Sequence, residues 1–94
     1  MKFFVDGRFV PGKAAEPHML EERKRVKELK ESGALLWAYR RPEIGGGAIL
    51  LIESDTREGA DELLESLPFV RLGIMSCDVE EVESLDFIWA TAGN

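Results

Sequence analysis

Ala48-Ile49-Leu50-Leu51-Ile52 is a short apolar run between Gly45-Gly46-Gly47 and Glu53-Ser54-Asp55. Five residues bounded by glycines on one side and cap formers on the other make a strand, too short to cross a bilayer. In a strand, Ile49 and Leu51 point one way and Leu50 and Ile52 the other, so both faces need cover. The fold must therefore place this strand inside a sheet with one layer on each side.

The rest of the chain supplies that sheet in two halves with the same order of elements. Lys2–Val10 is rich in aromatic and β-branched residues and predicts a strand, broken by Pro11-Gly12. Pro17–Ser32 predicts a helix closed by Gly33, with an earlier start at Lys13 left open. Ala34–Arg41 predicts a second strand, with Leu35, Trp37 and Tyr39 on one face and Leu36, Ala38 and Arg40 on the other. After the Pro- and Gly-rich turn comes the third strand, Ala48–Glu53. Ser54 and Asp55 offer cap oxygens to a second helix over Thr56–Ser66, ended by Pro68. Arg71–Val82 predicts a fourth strand and Leu85–Ala92 an apolar tail.

The order β-α-β-β-α-β is an α+β, ferredoxin-like plait: one four-stranded antiparallel sheet with two helices on one face. Two helices leave the other face of the third strand bare. Pairing of two such sheets into a dimeric α/β barrel would cover it. The tail residues Leu85, Phe87, Ile88 and Trp89 are too apolar to form a patch in water, and are expected on the sheet or on a neighbouring chain.

Ninety-four residues suit one small domain over 1–94, with the apolar tail at 85–94. A net charge of −6 without a basic cluster argues against nucleic acid. The opening residues look like a strand rather than a secretory signal, and no run suits a membrane span. One cysteine, Cys77, allows no internal disulfide, which fits a reducing cytoplasm; a lone strand thiol is usually a small hydrophobe. One histidine and one cysteine make a zinc site or a serine triad a poor fit, and the triglycine lacks the lysine of a phosphate loop.

Glu22 breaks the pattern of the first helix. Met19, Val26 and Leu29 recur at helical spacing, and Glu22 falls within the arc they define, while Lys24, Lys27, Glu28 and Glu31 mostly fall elsewhere. A carboxylate on a core-facing stripe is costly unless paired, and burial raises its pKa. Such a group is either a general base or half of a buried ion pair.

Leu20-Glu21-Glu22, Glu28-Leu29, Gly33 and Tyr39-Arg40, followed by Glu53-Ser54-Asp55, Asp61, Leu63-Leu64 and Ser66-Leu67-Pro68, resemble the muconolactone isomerase family. The resemblance runs from the first strand to the start of the fourth. It implies a dimeric α/β barrel that assembles into larger homo-oligomers. It also implies cofactor-free proton transfer, moving a double bond within an unsaturated lactone, as in aromatic catabolism. Glu22 occupies the position of the family's proposed base. Met19 stands where the family has a lysine, Phe4 where it has a histidine, and Asp6 keeps an acidic position, which makes it a candidate substrate-binding residue with Arg40 and Tyr39.

Shifting a double bond beside a carbonyl needs a base and a cation or hydrogen-bond donor for the developing oxyanion. Glu22 is the candidate base. His18, four residues earlier, is the candidate replacement for the missing cation, or else an exposed residue of the first turn. Arg40 is a candidate clamp for a substrate carboxylate, or else the partner of Glu22 or Asp6. Tyr39 is a candidate stacking surface, or else core. The expected activity is isomerisation of a small unsaturated lactone or related hydrophobic acid. A non-catalytic ligand-binding or assembly module is the alternative, with a cofactor-free monooxygenase behind it. In the module reading, Glu22 is locked to Arg40 or Arg23 and no cavity adjoins it. The partners expected are a small-molecule ligand and a second copy of the chain, with no metal, nucleic acid or membrane.

Overall fold

In the computed structural model of the chain, residues 1–43 and 45–92 are described, with side chains through Ala90; the end of the tail expected over 85–94 lies outside them. The strands are β1 (Lys2–Phe9), β2 (Leu35–Arg41), β3 (Gly47–Glu53) and β4 (Met75–Val82). The helices are α1 (Met19–Ser32), α2 (Arg57–Glu65), the single turn α3 (Pro68–Arg71) and α4 (Asp86–Ala92). A 3-10 turn over Glu16–His18 leads into α1. The sheet order is β2-β3-β1-β4, antiparallel throughout, as the ferredoxin-like plait requires.

Local chemistry sets the boundaries. Gly33 adopts φ 86°, the left-handed conformation that ends α1, and its N–H donates to the Lys30 carbonyl at 3.2 Å. Thr56 caps α2, its Oγ1 accepting from the Gly59 N–H at 2.9 Å. Pro68 does more than stop the second helix. It sits at the first position of α3, where its missing N–H costs nothing, and this extra turn delays the fourth strand to Met75 rather than Arg71.

The central strand is covered as its sequence demands on one side. Phe3, Val5, Leu50 and Ile52 pack with Leu29 of α1, Ala60 and Leu64 of α2, and Leu67. Phe69, Ile74 and Met75 form a second cluster, joined by Phe9 and Met19; the Phe9 and Phe69 rings meet edge-on at 5.7 Å. A bulge in β2 corrects the expected facing of that strand. Leu35 pairs with Ile52 and is buried on the helix side, but the register shifts before Trp37, which pairs with Leu51. Trp37 and Tyr39 therefore lie with Ile49 and Leu51 on the helix-free face, away from Leu35.

That open face also carries Phe4, Asp6 and Arg8 from β1 and Asp78 and Glu80 from β4, by cross-strand register. Asp6 forms an ion pair with Arg41 and lies 3.7 Å from Arg8. The Nε–H of Arg41 is buried with no acceptor among the described residues. No helix among the described residues is long and apolar enough to cross a membrane.

Candidate active site

Glu22 is held between the two apolar clusters. On α1, Met19 one turn before it packs on the second cluster, while Val26 and Leu29 one and two turns after it pack on the first. The residue is 8 % exposed, and it is the buried charged side chain among the described residues. Its Oε1 accepts a hydrogen bond from the Phe69 N–H at 2.9 Å. Phe69 follows Pro68 in the first turn of α3, where backbone N–H groups have no partner inside the helix. The carboxylate thus serves as a cap for α3 supplied from a distant part of the chain.

No ion pair of Glu22 occurs among the described residues. Arg25 bonds Ser66 and approaches Glu28, and Arg41 is engaged with Asp6. Two effects then compete at the Glu22 carboxyl. Burial raises its pKa, and the Phe69 N–H, which favours the anion, lowers it; burial is the larger and the net shift is upward.

A cavity of about 200 Å³ opens between the helices and the sheet, with Glu22 in its wall. Val26, Leu29, Leu50, Ile52 and Leu63 make the wall largely apolar, and Arg40 and Cys77 bring the other polar atoms that matter. Arg40 reaches this side because it pairs with Ala48, another wall residue. Cys77 comes from β4 opposite Gly7. Burial pushes its thiol up to about 11, helped by the charges of Asp78, Glu22, Asp6 and Glu65, so it stays protonated at neutral pH. Beside the cavity, a groove between α1 and β2 shares Glu22, Val26, Leu35 and Ala38 with it, and its rim carries Arg23, Lys27 and Lys30. Glu31 shares that rim and lies 3.9 Å from Lys27, so its cations are partly neutralised.

The structure brings Glu22 and Arg40 together at the cavity; Tyr39 also borders it, although it pairs with Ile49 and its ring belongs to the helix-free face. Tyr39 is 66 % exposed, with its ring 5.3 Å from that of Trp37. His18 ends the 3-10 turn, half-buried, and is not among the lining residues. Asp6 lies on the opposite face of the sheet, where Arg41 rather than Arg40 is its partner. Two participants escaped the sequence reading. Phe69 contributes only a backbone N–H, for which Pro68 is the available signal. Cys77 owes its place to the register of β4 against β1, which no local pattern encodes. Among the described residues, no group of three side chains could hold a metal ion.

Neither a protein-family model nor any curated protein matches the sequence. Among solved structures, the chain is similar to 5-chloro-2-hydroxyhydroquinone dehydrochlorinase (TftG) from Burkholderia phenoliruptrix AC1100, in complex with 2,5-dihydroxybenzoquinone. The two share 16% sequence identity with a TM-score of 0.78, over 93% of this chain and 98% of that one. At that identity the likeness shows the fold, the ferredoxin-like plait, and not muconolactone isomerase in particular.

Proposed function

We propose that this chain is a cofactor-free proton-transfer enzyme acting on a small, unsaturated cyclic carbonyl compound, with Glu22 as its base. The observation that carries the reading is a carboxylate with a raised pKa in the wall of an apolar cavity, held by one backbone N–H and by no cation among the described residues. The ion-paired module, which requires Glu22 locked to an arginine and no adjoining cavity, lacks both features. A cavity of about 200 Å³ suits one ring: a dry cavity of roughly 150 Å³ accepts benzene. The quinone bound by the structural neighbour is also a single ring.

In the proposed cycle, the Glu22 carboxylate removes a proton from the carbon next to the carbonyl. The electron pair of that C–H bond moves into the ring, and negative charge gathers on the carbonyl oxygen. Arg40, at the cavity wall, stabilises that oxyanion or holds a substrate carboxylate. The Glu22 carboxylic acid then returns the proton two carbons further on, which shifts the double bond and restores the base. A raised pKa helps both halves, because the base is stronger and its protonated form is cheap in an apolar wall. We assign the cationic role to Arg40 rather than His18 because Arg40 lines the cavity. Isomerisation of an unsaturated lactone is the specific form of this chemistry that the sequence resemblance favours.

We further propose that the chain is one domain, works in the cytoplasm and pairs through its open sheet face into a homodimer. That face holds half-buried Phe4, Trp37, Ile49 and Leu51, the orphaned Arg41 Nε–H, and charges of both signs. A two-fold contact needs such self-complementarity.

The test is hydrogen–deuterium exchange at the carbon beside the carbonyl of an unsaturated γ-lactone, followed by NMR. Glu22→Gln should slow enzyme-dependent exchange by about 10²–10⁴. The wild-type rate should rise with pH through an inflection above the ordinary carboxylate range. Unchanged exchange in the variant sinks the proposal.

A further inference from the structure

We infer that the groove between α1 and β2 is a second subsite beside the cavity, taking an aliphatic tail on the substrate ring, with Arg23 holding a carboxylate at the end of that tail. The inference rests on the ring site proposed at Glu22 and names the class of compound that site takes.

The gap in the helix layer shows at Ala38. It pairs with Leu50 and so lies on the face of the sheet turned towards the helices, where Leu35 and Leu50 are buried. Ala38 itself is exposed. The helices leave this part of β2 uncovered, and a side chain of one methyl group keeps the floor low. The resulting groove holds about 540 Å³, against about 200 Å³ for the cavity. Glu22, Val26, Leu35 and Ala38 line both, so the two spaces are continuous with Glu22 at their junction. From Glu22 to Glu31 the groove follows α1 for about 13 Å of helix rise. One ring fills the cavity, and a chain of several carbon atoms fits the groove.

The rim decides what ends the tail. Lys27 is matched by Glu31 at 3.9 Å, and Lys30 Nζ donates to the Leu36 carbonyl at 2.9 Å. Arg23 has neither an ion pair nor a hydrogen bond among the described residues. Its guanidinium is uncommitted, in the fork geometry that fits a carboxylate. Repulsion points the same way. A carboxylate fixed directly on the ring would be enclosed beside the Glu22 anion, whereas a tail carries it out to Arg23. Arg40 is then left for the carbonyl oxygen.

Magnitudes divide the work between floor and rim. Each methylene fully buried contributes about fourfold in affinity. An exposed ion pair contributes about two- to fivefold. The floor therefore sets how tightly a tailed ligand binds, and Arg23 sets which tail is preferred.

The test is NMR titration of the isotope-labelled chain with three saturated γ-lactones, which carry no double bond to shift. Their ring substituents are a methyl group, a hexyl group, and a chain of five methylenes ending in a carboxylate. Both tailed lactones should bind at least about tenfold tighter than the methyl compound. Arg23→Gln should weaken the carboxylate compound about two- to fivefold and leave the other two unchanged, with Arg23→Lys restoring part of the loss. A methyl compound as tight as the tailed ones leaves the groove without a ligand, and overturns the inference while the ring site stands. Tailed lactones indifferent to Arg23→Gln, or all three weakened equally by it, overturn the role of Arg23. The expected pattern without hydrogen–deuterium exchange in an unsaturated lactone upholds the subsite and sinks the proton-transfer reading instead. Failure of all three lactones to bind overturns both.

Discussion

Oε1 of Glu22 and the backbone N–H of Phe69, forty-seven positions apart in the chain, are joined by a 2.9 Å hydrogen bond. The bond ties the first β-α-β half to the second. It makes the candidate base a structural element as well, and the two roles respond differently to substitution.

Glu22→Gln should separate them. Glutamine keeps an oxygen for the Phe69 N–H and carries no charge to bury. In the unfolded chain Glu22 ionises at its ordinary value, and in the folded chain it holds its proton to higher pH. Between those two values the folded state binds more protons, so its stability falls as pH rises through the window and stays lowered above it. Below the window the variant and the wild type should melt alike. At neutral pH the variant should be the more stable, and a gain of only about 0.5 kcal/mol would move Tm by roughly 2–4 °C. Thermal melts at pH 4 and pH 7.5 check this, and a variant less stable at the higher pH would contradict it.

Glu22→Leu should behave otherwise. It removes the charge but also the acceptor, leaving the buried Phe69 N–H without a partner at a cost of about 1–3 kcal/mol. Amide hydrogen exchange at Phe69 should speed up in this variant and not in Glu22→Gln.

Cys77 should be a slow thiol. With its pKa pushed up to about 11, its alkylation by iodoacetamide at pH 8 should be on the order of 100-fold slower than that of a free cysteine. Glu22→Gln removes one of the charges that raise the thiol and should accelerate the reaction modestly. A ring-sized ligand in the cavity should protect Cys77 further, as mass spectrometry of the modified chain would show.

Gly47→Ala should be among the most damaging small substitutions. Gly47 has φ 147°, and a Cβ there would collide with the Gly7 carbonyl oxygen on β1. The strained backbone and the clash together should cost about 3 kcal/mol or more, read as a fall in the urea midpoint.

Much of this architecture is legible in the chain because strong local signals agree. Gly33 and the apolar run of β3 place two boundaries, while the cap of α2 is Thr56 rather than the expected Ser54 or Asp55, and the resulting order of elements leaves little choice of plait. The failures have equally specific causes. Pro68 both ends one helix and begins another, and sequence shows only the ending. The bulge after Leu35 turns Trp37 and Tyr39 to the other face, which alternation alone cannot foresee. For the site, periodicity alone finds Glu22, because a charge on an oily stripe is visible without coordinates. Arg40 reaches the cavity and Asp6 does not, and that difference depends on which face of β1 and β2 meets the helices.

The sheet's two borders have their own consequence. β4 forms one border and carries Asp78, Glu80 and Glu81, with Glu83 just beyond its end. β2 forms the other, where the bulge interrupts the ladder and Lys30 Nζ occupies the Leu36 carbonyl at 2.9 Å. A strand from another molecule adding to the first would meet a row of like charges, and to the second a broken template. Fibril-like growth by strand addition is thereby discouraged at both ends. The proposed pairing of two copies would therefore have to use the open sheet face rather than the sheet edges.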